Sequence, residues 1–502
     1  MFKSNDAVMI RDDDNVCIAL RNLKKGDEIC IGNKKIVLRE HIAVPHKIAL
    51  RDVRAGGQVI KYGVSIGTAT KDISSGELVH LHNLHSNLEQ EANYAYTPEK
   101  APCATPLFME ELMFKGYKRP SGEVGIRNYV YIIPTVFCAN AFADKLARIA
   151  NEIHPKSENF DGFISLSHFS GCCEEGLNLT HTQRILASLA KNPNAGGVLF
   201  VSVGCEINNL DNFIPTLGAL DGYHVDFVNL QDAGDEMQKS LELAEKLYAA
   251  CIRYQREECP ISKLVAGMNC GGSDGFSGIT ANPLLGEITD ILTAQDASVI
   301  LTEVPEMFGV EQTLMNRSVS QEVYHELVAM INEYKKDYEK YAVPVYAFPT
   351  DANNKGGIST LEEKSLGCIE KGGRARVAGV IQYGERMRAS GLNLLVGPAH
   401  DYVSITGQIA AGANLVIFTT GRGTPTGFAV PTIKVTSNSD IFNRKPHWFE
   451  YDAGDLLASK GVEQAARELL DIIIAVANGE LRTKAELNNY FAIGILHDGI
   501  TL

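Results

Sequence analysis

Apolar positions along this chain are spaced in two ways. Over the first 85 residues they fall in short runs, at 16–20, 35–38 and 47–50. Gly26-Asp27, Gly32-Asn33, Gly56-Gly57 and Ser75-Gly76 separate them. Short runs cut by such turns predict tightly joined strands, so residues 1–85 read as a small all-β module. Between 86 and 110 no apolar period persists and Asn, Glu, Gln, Tyr and Pro dominate, which predicts an extended linker.

From residue 111 the pattern becomes α/β. Apolar runs at 130–134, 162–167, 197–203, 263–267, 297–302, 391–396 and 414–419 alternate with helical stretches, among them 141–149 and 238–256. Near-continuous apolar strands between helices predict parallel sheets covered on both faces. The helix expected to end at Arg256 runs into Glu257-Glu258-Cys259-Pro260. That junction divides a middle α/β domain, 111–258, from a C-terminal one, 259–502. At 502 residues the chain exceeds one ordinary core.

Charge narrows the partners. A formal net charge of −14 argues against nucleic acid or an anionic membrane as the main partner, since both reward basic patches, but does not forbid an anionic substrate. No run has the length of a membrane span, and the polar first 14 residues lack a signal-peptide core, so a cytoplasmic protein is expected. Eleven cysteines, an odd count, predict free thiols.

In open α/β sheets ligands bind beyond the carboxyl ends of the strands. The residues following each predicted strand are therefore informative. They are His168 to Glu175, including Cys172-Cys173; Gly204-Cys205-Glu206; Cys270-Gly271-Gly272-Ser273-Asp274-Gly275; Thr302-Glu303-Val304-Pro305-Glu306; His400-Asp401; and Gly421-Arg422-Gly423-Thr424. Six polar strand ends in one chain, four of them with glycine, predict a shared cleft. Ser273 and Asp274 suit either helix capping or ligand binding. Cys172-Cys173 lacks zinc-finger spacing, and one thiol is expected to face the cleft and one the core. Gly421-Arg422-Gly423 suits an anion, but neither a phosphate loop nor a dinucleotide fingerprint is present. In the β module, His80 and His82 would share a strand face, near His85, as a metal pair or a polar edge. His46-Lys47 either reaches a neighbouring cleft or lies at the surface.

At these residues the chain resembles the altronate/galactarate dehydratase family, essentially end to end. The resemblance is carried by Val124-Gly125-Ile126-Arg127-Asn128, Gly171-Cys172, Gly204-Cys205-Glu206, the CGGSDGFSGITANP stretch from Cys270, and the TEVPEMFG stretch from Thr302. Lys364-Ser365-Leu366-Gly367-Cys368, the TTGRGTP stretch from Thr419, and the closing His497-Asp498-Gly499-Ile500-Thr501-Leu502 complete it. The TEVPEMFG and Lys364–Cys368 segments are nearer the altronate than the galactarate branch. Two departures stand out: residues 349–355 read Pro-Thr-Asp-Ala-Asn-Asn-Lys where the family has Pro-Ser-Pro-Gly-Asn-Lys, and Ser170 replaces a usual Tyr.

The resemblance implies a SAF-type β-clip at the N-terminus, a dimerising middle domain, and a Rossmann-like variant C-terminal domain holding iron(II), with manganese as a substitute. It implies loss of water from D-altronate in hexuronate catabolism, giving 2-dehydro-3-deoxy-D-gluconate by metal-assisted β-elimination. A homodimer acting on a small sugar acid is expected. The residues assigned to proton transfer are His168, Asp274, Glu303 and Asp401. Substrate binding is assigned to Arg127, Ser273, Arg422, Gly423 and Thr424, and the metal to Cys270, Cys172, Cys205 and Glu306. Rival readings are a dehydratase of galactarate or another aldonate or aldarate, an NAD-linked oxidoreductase, and a carbohydrate-binding protein.

Overall fold

The computed structural model describes residues 2–32, 34–88, 93–99, 110–458 and 460–498. Much of the expected linker (89–92 and 100–109) and the last four residues of the closing motif lie outside these. Its part at 93–99 runs along the helix Glu311–Asn316, where Glu99 N donates to Asn316 O at 2.9 Å.

The N-terminal module is all β. Five antiparallel strands lie in the order Phe2–Lys3, Ala7–Met9, Val16–Ala19, Lys47–Ala49, Leu78–Val79. A hairpin, Glu28–Ile31 with Lys34–Val37, and a three-stranded sheet complete it. His80 and His82 are in the turn after Leu78–Val79, not on one strand face; the His80 ring instead packs edge-on against His46, centroids 5.2 Å apart.

The helix expected through Arg256 stops at Cys251, as Glu236–Cys251. Arg256 opens the strand Arg256–Pro260, which pairs antiparallel with Met113–Lys118. Tertiary contacts overrule the local helical pattern there. The Arg256 guanidinium donates to Lys115 O and to Ala477 O, each at 2.8 Å.

Two parallel sheets carry the α/β part. The smaller has the order Gly162–Ser165, Tyr129–Pro134, Ala195–Ser202, Val225–Asn229. The larger has seven strands: Val377–Ile381, Gly391–Leu395, Ser298–Leu301, Val265–Cys270, Leu415–Thr420, Thr432–Thr436 and Tyr451–Asp452, all paired in parallel. Between the sheets the helices Gly176–Ala190 and Asp401–Ala411 share one buried core containing Tyr131, Ile185, Ile405 and Phe418. In the larger sheet Val265–Cys270 is central. The chain leaves it to add strands on one side and returns to add Leu415–Thr420 on the other. That reversal is where an open α/β sheet forms its ligand crevice.

Candidate active site

Cys270 ends the central strand at this switch point. Its thiol donates to Glu306 Oε2 at 2.9 Å and lies 3.5 Å from Cys368 Sγ. Among the described residues, Cys270, Glu306 and Cys368 are the one trio of metal-capable donors within 4.8 Å of one another. Two ammonium groups close over them. Lys371 Nζ reaches Cys270 Sγ at 2.9 Å, and Lys364 Nζ pairs with Glu306 Oε1 at 2.7 Å and donates to Ser273 Oγ at 3.1 Å.

Each element has a local reason. Thr360 caps the helix Leu361–Ile369 by accepting from Glu363 N, and the four-residue spacing puts Lys364 and Cys368 on one helical face. Glu303 follows the strand Ser298–Leu301 in the left-handed region, φ 66° and ψ 59°, uncommon for a residue with a side chain. That backbone turns its carboxylate inward to accept from Cys270 N at 3.2 Å. Asp401 starts the helix Asp401–Ala411 and accepts from Asn269 Nδ2 at 3.4 Å.

Electrostatics separates the carboxyls. Burial, then the neighbouring Cys270 and Glu306, pushes Glu303 well above the ordinary range. Burial also works against ionised Glu306, but Lys364 and Lys371 outweigh it and hold that carboxyl below the usual range. Burial and Glu306 push Asp401 up to about 6. Two carboxyls in one pocket with opposed protonation are the pattern of an acid and a base set by their surroundings.

The donor set fits a divalent cation. With both thiols ionised, the pocket sets Cys270, Cys368, Glu306 and Asp401 against Lys364 and Lys371, an excess of negative charge even with Glu303 neutral. Without a cation the contact with Cys368, burial and repulsion keep the Cys270 thiol well above its usual range. A bound ion inverts that balance and deprotonates its thiols.

Not every expected site residue joins this cluster. Asp274 is a structural hub rather than a free base. Its Oδ1 accepts from Phe276 N, Ser277 N, Ser277 Oγ and Ser437 Oγ, and its Oδ2 from Asn438 Nδ2. Arg127 is corrected from substrate binding to architecture. It is fully buried, and its five N–H groups go to Glu486 (twice), Ile126 O, Val476 O and Leu481 O. His168 belongs to the smaller sheet and is no acid or base for this pocket. One ring nitrogen accepts from Ser170 N at 3.1 Å and the other meets Pro134 O at 2.7 Å. Cys172 and Cys205 also follow strands of the smaller sheet, where their neighbours are Cys138 and Cys173 rather than Cys270. Which strand ends share a sheet is set by contacts between distant segments, so no local pattern separates these three residues from Cys270. Lys371 and Cys368 were missed. The one usable signal for the latter was the Lys364-to-Cys368 helical spacing.

A cleft of about 960 Å³ opens over Asp274 and Arg422, between the β module and the larger unit; the residues of the Cys270 cluster are not among its walls. Its walls include Arg21 and Pro45 of the β module and Asp274, Gly421, Arg422 and Arg444 of the larger unit. The module is docked tightly: a Cβ on Gly275 or Gly357 would lie 2.5 Å from Pro45 O. Lys47 and Lys61, both buried, pair with Glu363 at 2.8 and 2.7 Å. Arg422 is exposed beside Gly423 and Thr424, and its Nη1 donates to Ala352 O at 3.3 Å. In the divergent segment 349–355, Asn353 holds the cluster's rim, its Nδ2 donating to Ser273 O at 3.0 Å.

Comparison with known proteins follows this architecture. Residues 5–87 match the family model described as "Altronate/galactarate dehydratase SAF domain". Residues 116–251 match "D-galactarate dehydratase/Altronate hydrolase, second domain", and 261–501 match "D-galactarate/Altronate dehydratase, C-terminal". An altronate dehydratase of Bacillus subtilis (strain 168) is 42% identical over 99% of both chains. One from Escherichia coli (strain K12) is 40% identical over 97% of this chain and 98% of its own. The galactarate dehydratase (L-threo-forming) of Escherichia coli (strain K12) is 32% identical over 97% and 96%. These matches, laid over a SAF module, two parallel sheets and a buried acid–lysine cluster, define a class: a hydro-lyase. Within that class, the chain belongs to the D-galactarate/altronate dehydratase family.

Proposed function

We propose that the chain dehydrates D-altronate to 2-dehydro-3-deoxy-D-gluconate in hexuronate catabolism, in the cytoplasm and as a homodimer formed through residues 111–258. The substrate follows the altronate dehydratases that are 40–42% identical over nearly the whole chain. The chemistry rests on one observation: two buried carboxyls flank the end of the central strand at the switch point, Glu303 accepting from Cys270 N and Asp401 from Asn269 Nδ2.

Cys270, Glu306 and Cys368 are the residues that would hold iron(II), with manganese as a substitute. When bound, the ion supplies a Lewis acid for the substrate's carboxylate and C2 oxygen. Asp401, ionised above about pH 6, takes the C2 proton. Lys364 and Lys371 keep positive charge beside the developing enediolate. Glu303, kept protonated, donates to the C3 hydroxyl as its C–O bond breaks. Water leaves, and the enol tautomerises to the ketone. Ser273 beneath Lys364, Arg422 at the cleft wall, and Gly423 and Thr424 following it in the chain orient the polyol.

The test is an anaerobic assay with iron(II) across altronate, galactarate and other aldonates and aldarates, detecting 2-keto-3-deoxy product without a redox cofactor. Altronate is expected to give the highest kcat/KM. A higher value for galactarate would overturn the substrate, and a requirement for NAD would overturn the reaction. Sedimentation of the full chain at twice the monomer mass is expected; a monomer would remove the dimer.

A further inference from the structure

Three neighbouring strands of the smaller sheet, Tyr129–Pro134, Gly162–Ser165 and Ala195–Ser202, each run into a loop bearing cysteine. The loops carry Cys138, Cys172 with Cys173, and Cys205. Backbone bonds lash them together. Phe137 N donates to Ser170 O and Ile207 N to Cys172 O, both at 3.0 Å, and Asn208 N to Gly171 O at 3.1 Å. Gly171 makes this approach possible: its φ is +100°, and a Cβ would lie 2.1 Å from Thr135 O.

Buried polar side chains brace the same loops. Glu206 accepts from Thr135 Oγ1 at 2.7 Å and from Gly204 N at 2.6 Å, tying the first loop to the third. The His168 ring, held between Pro134 O and Ser170 N, ties the first to the second. These thiols therefore stand on a rigid frame. They are also close: the loops of Cys138 and Cys205 are each bonded directly to the loop that carries Cys172 and Cys173.

Spacing selects the ligand. Cys172 Sγ and Cys173 Sγ are 3.7 Å apart, but among the described residues no third thiol lies within 4.8 Å of both. A tetrahedral ion with metal–sulfur bonds of about 2.3 Å needs its thiolates closer together than that. An iron–sulfur cluster presents its irons over a wider face and takes one thiolate on each. Cys172 is partly buried and packs on the sheet's core, whereas Cys138, Cys173 and Cys205 are exposed.

We propose that Cys138, Cys172 and Cys205 hold a [4Fe–4S] cluster by three thiolates, leaving one iron open to an exogenous ligand. The site is separate from the Cys270 cluster. Binding is a ligand exchange with a preformed cluster: each protein thiol passes its proton to a departing small thiolate, one iron–sulfur bond forms as another breaks, and no oxidation state changes.

The full-length protein is incubated anaerobically with a preformed [4Fe–4S] cluster on a small thiol, desalted, and assayed for iron, acid-labile sulfide and visible absorption. Wild type, Cys173→Ser and Cys270→Ser are expected to retain about four irons and four sulfides per chain. Cys138→Ser and Cys205→Ser are expected to lose about tenfold, with unchanged thermal unfolding. In wild type, the bound cluster should also shield Cys138, Cys172 and Cys205, but not Cys173, from alkylation; this readout needs no variant. Iron without sulfide, full retention in Cys138→Ser and Cys205→Ser, loss in Cys270→Ser alone, or unshielded thiols would each overturn the assignment.

Discussion

Lys364 is the residue on which the buried cluster most depends. Its ammonium touches Glu306, Ser273 and Cys368 in a pocket sealed from water. Removing one partner of a buried ion pair strands the other, at a cost of about 3–5 kcal/mol. Lys364→Met is therefore expected to lower unfolding free energy by that order in denaturant melts and to abolish turnover; a wild-type melt would contradict the pairing. Asp401 carries the pH dependence. The base acts only when ionised, so kcat/KM is expected to rise through about pH 6. Asp401→Asn should lose that acidic limb and about 10²–10⁴-fold in rate, the usual weight of one general base. A retained limb in the pH–rate profile would assign it to another group. Arg422 is different, being exposed at the cleft wall. Arg422→Gln is expected to raise KM severalfold with kcat nearly unchanged, and an unchanged KM would take it out of substrate binding.

At the scale of elements, the helix Leu361–Ile369 does two jobs. One face offers Lys364 and Cys368 to the cluster, and Glu363 clamps Lys47 and Lys61 of the β module. Burial opposes ionisation of Glu363, yet the two lysines hold its carboxyl far below the ordinary range. A carboxyl depressed in the folded state stabilises above its unfolded pKa, about 4.3, and that contribution is lost as pH falls below it. Thermal unfolding followed from pH 7 to 3 is expected to show this acid loss in wild type and much less of it in Glu363→Gln. The variant should also be less stable at pH 7, because two buried ammoniums lose their partner. Equal acid sensitivity in both would show that the clamp contributes little.

For the whole molecule, the buried trio at the switch point predicts a metal requirement. Anaerobic chelation is expected to lower turnover more than tenfold and iron(II) to restore it; full activity in chelator would remove the metal from the reaction. The order of elements, the β module and the strands that end in polar loops were legible in the sequence, because hydrophobic period and turn residues are local properties. Cys270, Glu303, Glu306 and Asp401 were legible as strand-end residues of that pattern. The grouping was not. Cys172, Cys205 and His168 read as companions of Cys270, and the sheet order places them on a separate sheet. Arg127 and Asp274 read as functional from the motifs that hold them, yet the fold saturates their hydrogen bonds. Lys371 carried no local signal, since its partners lie about 65–100 residues away along the chain. By itself the sequence determined the class of fold and which residues end each strand, since both depend on near neighbours along the chain. Only the tertiary structure decided which strand ends meet, because sheet order and burial come from contacts between distant segments, and these set every charge in the pocket.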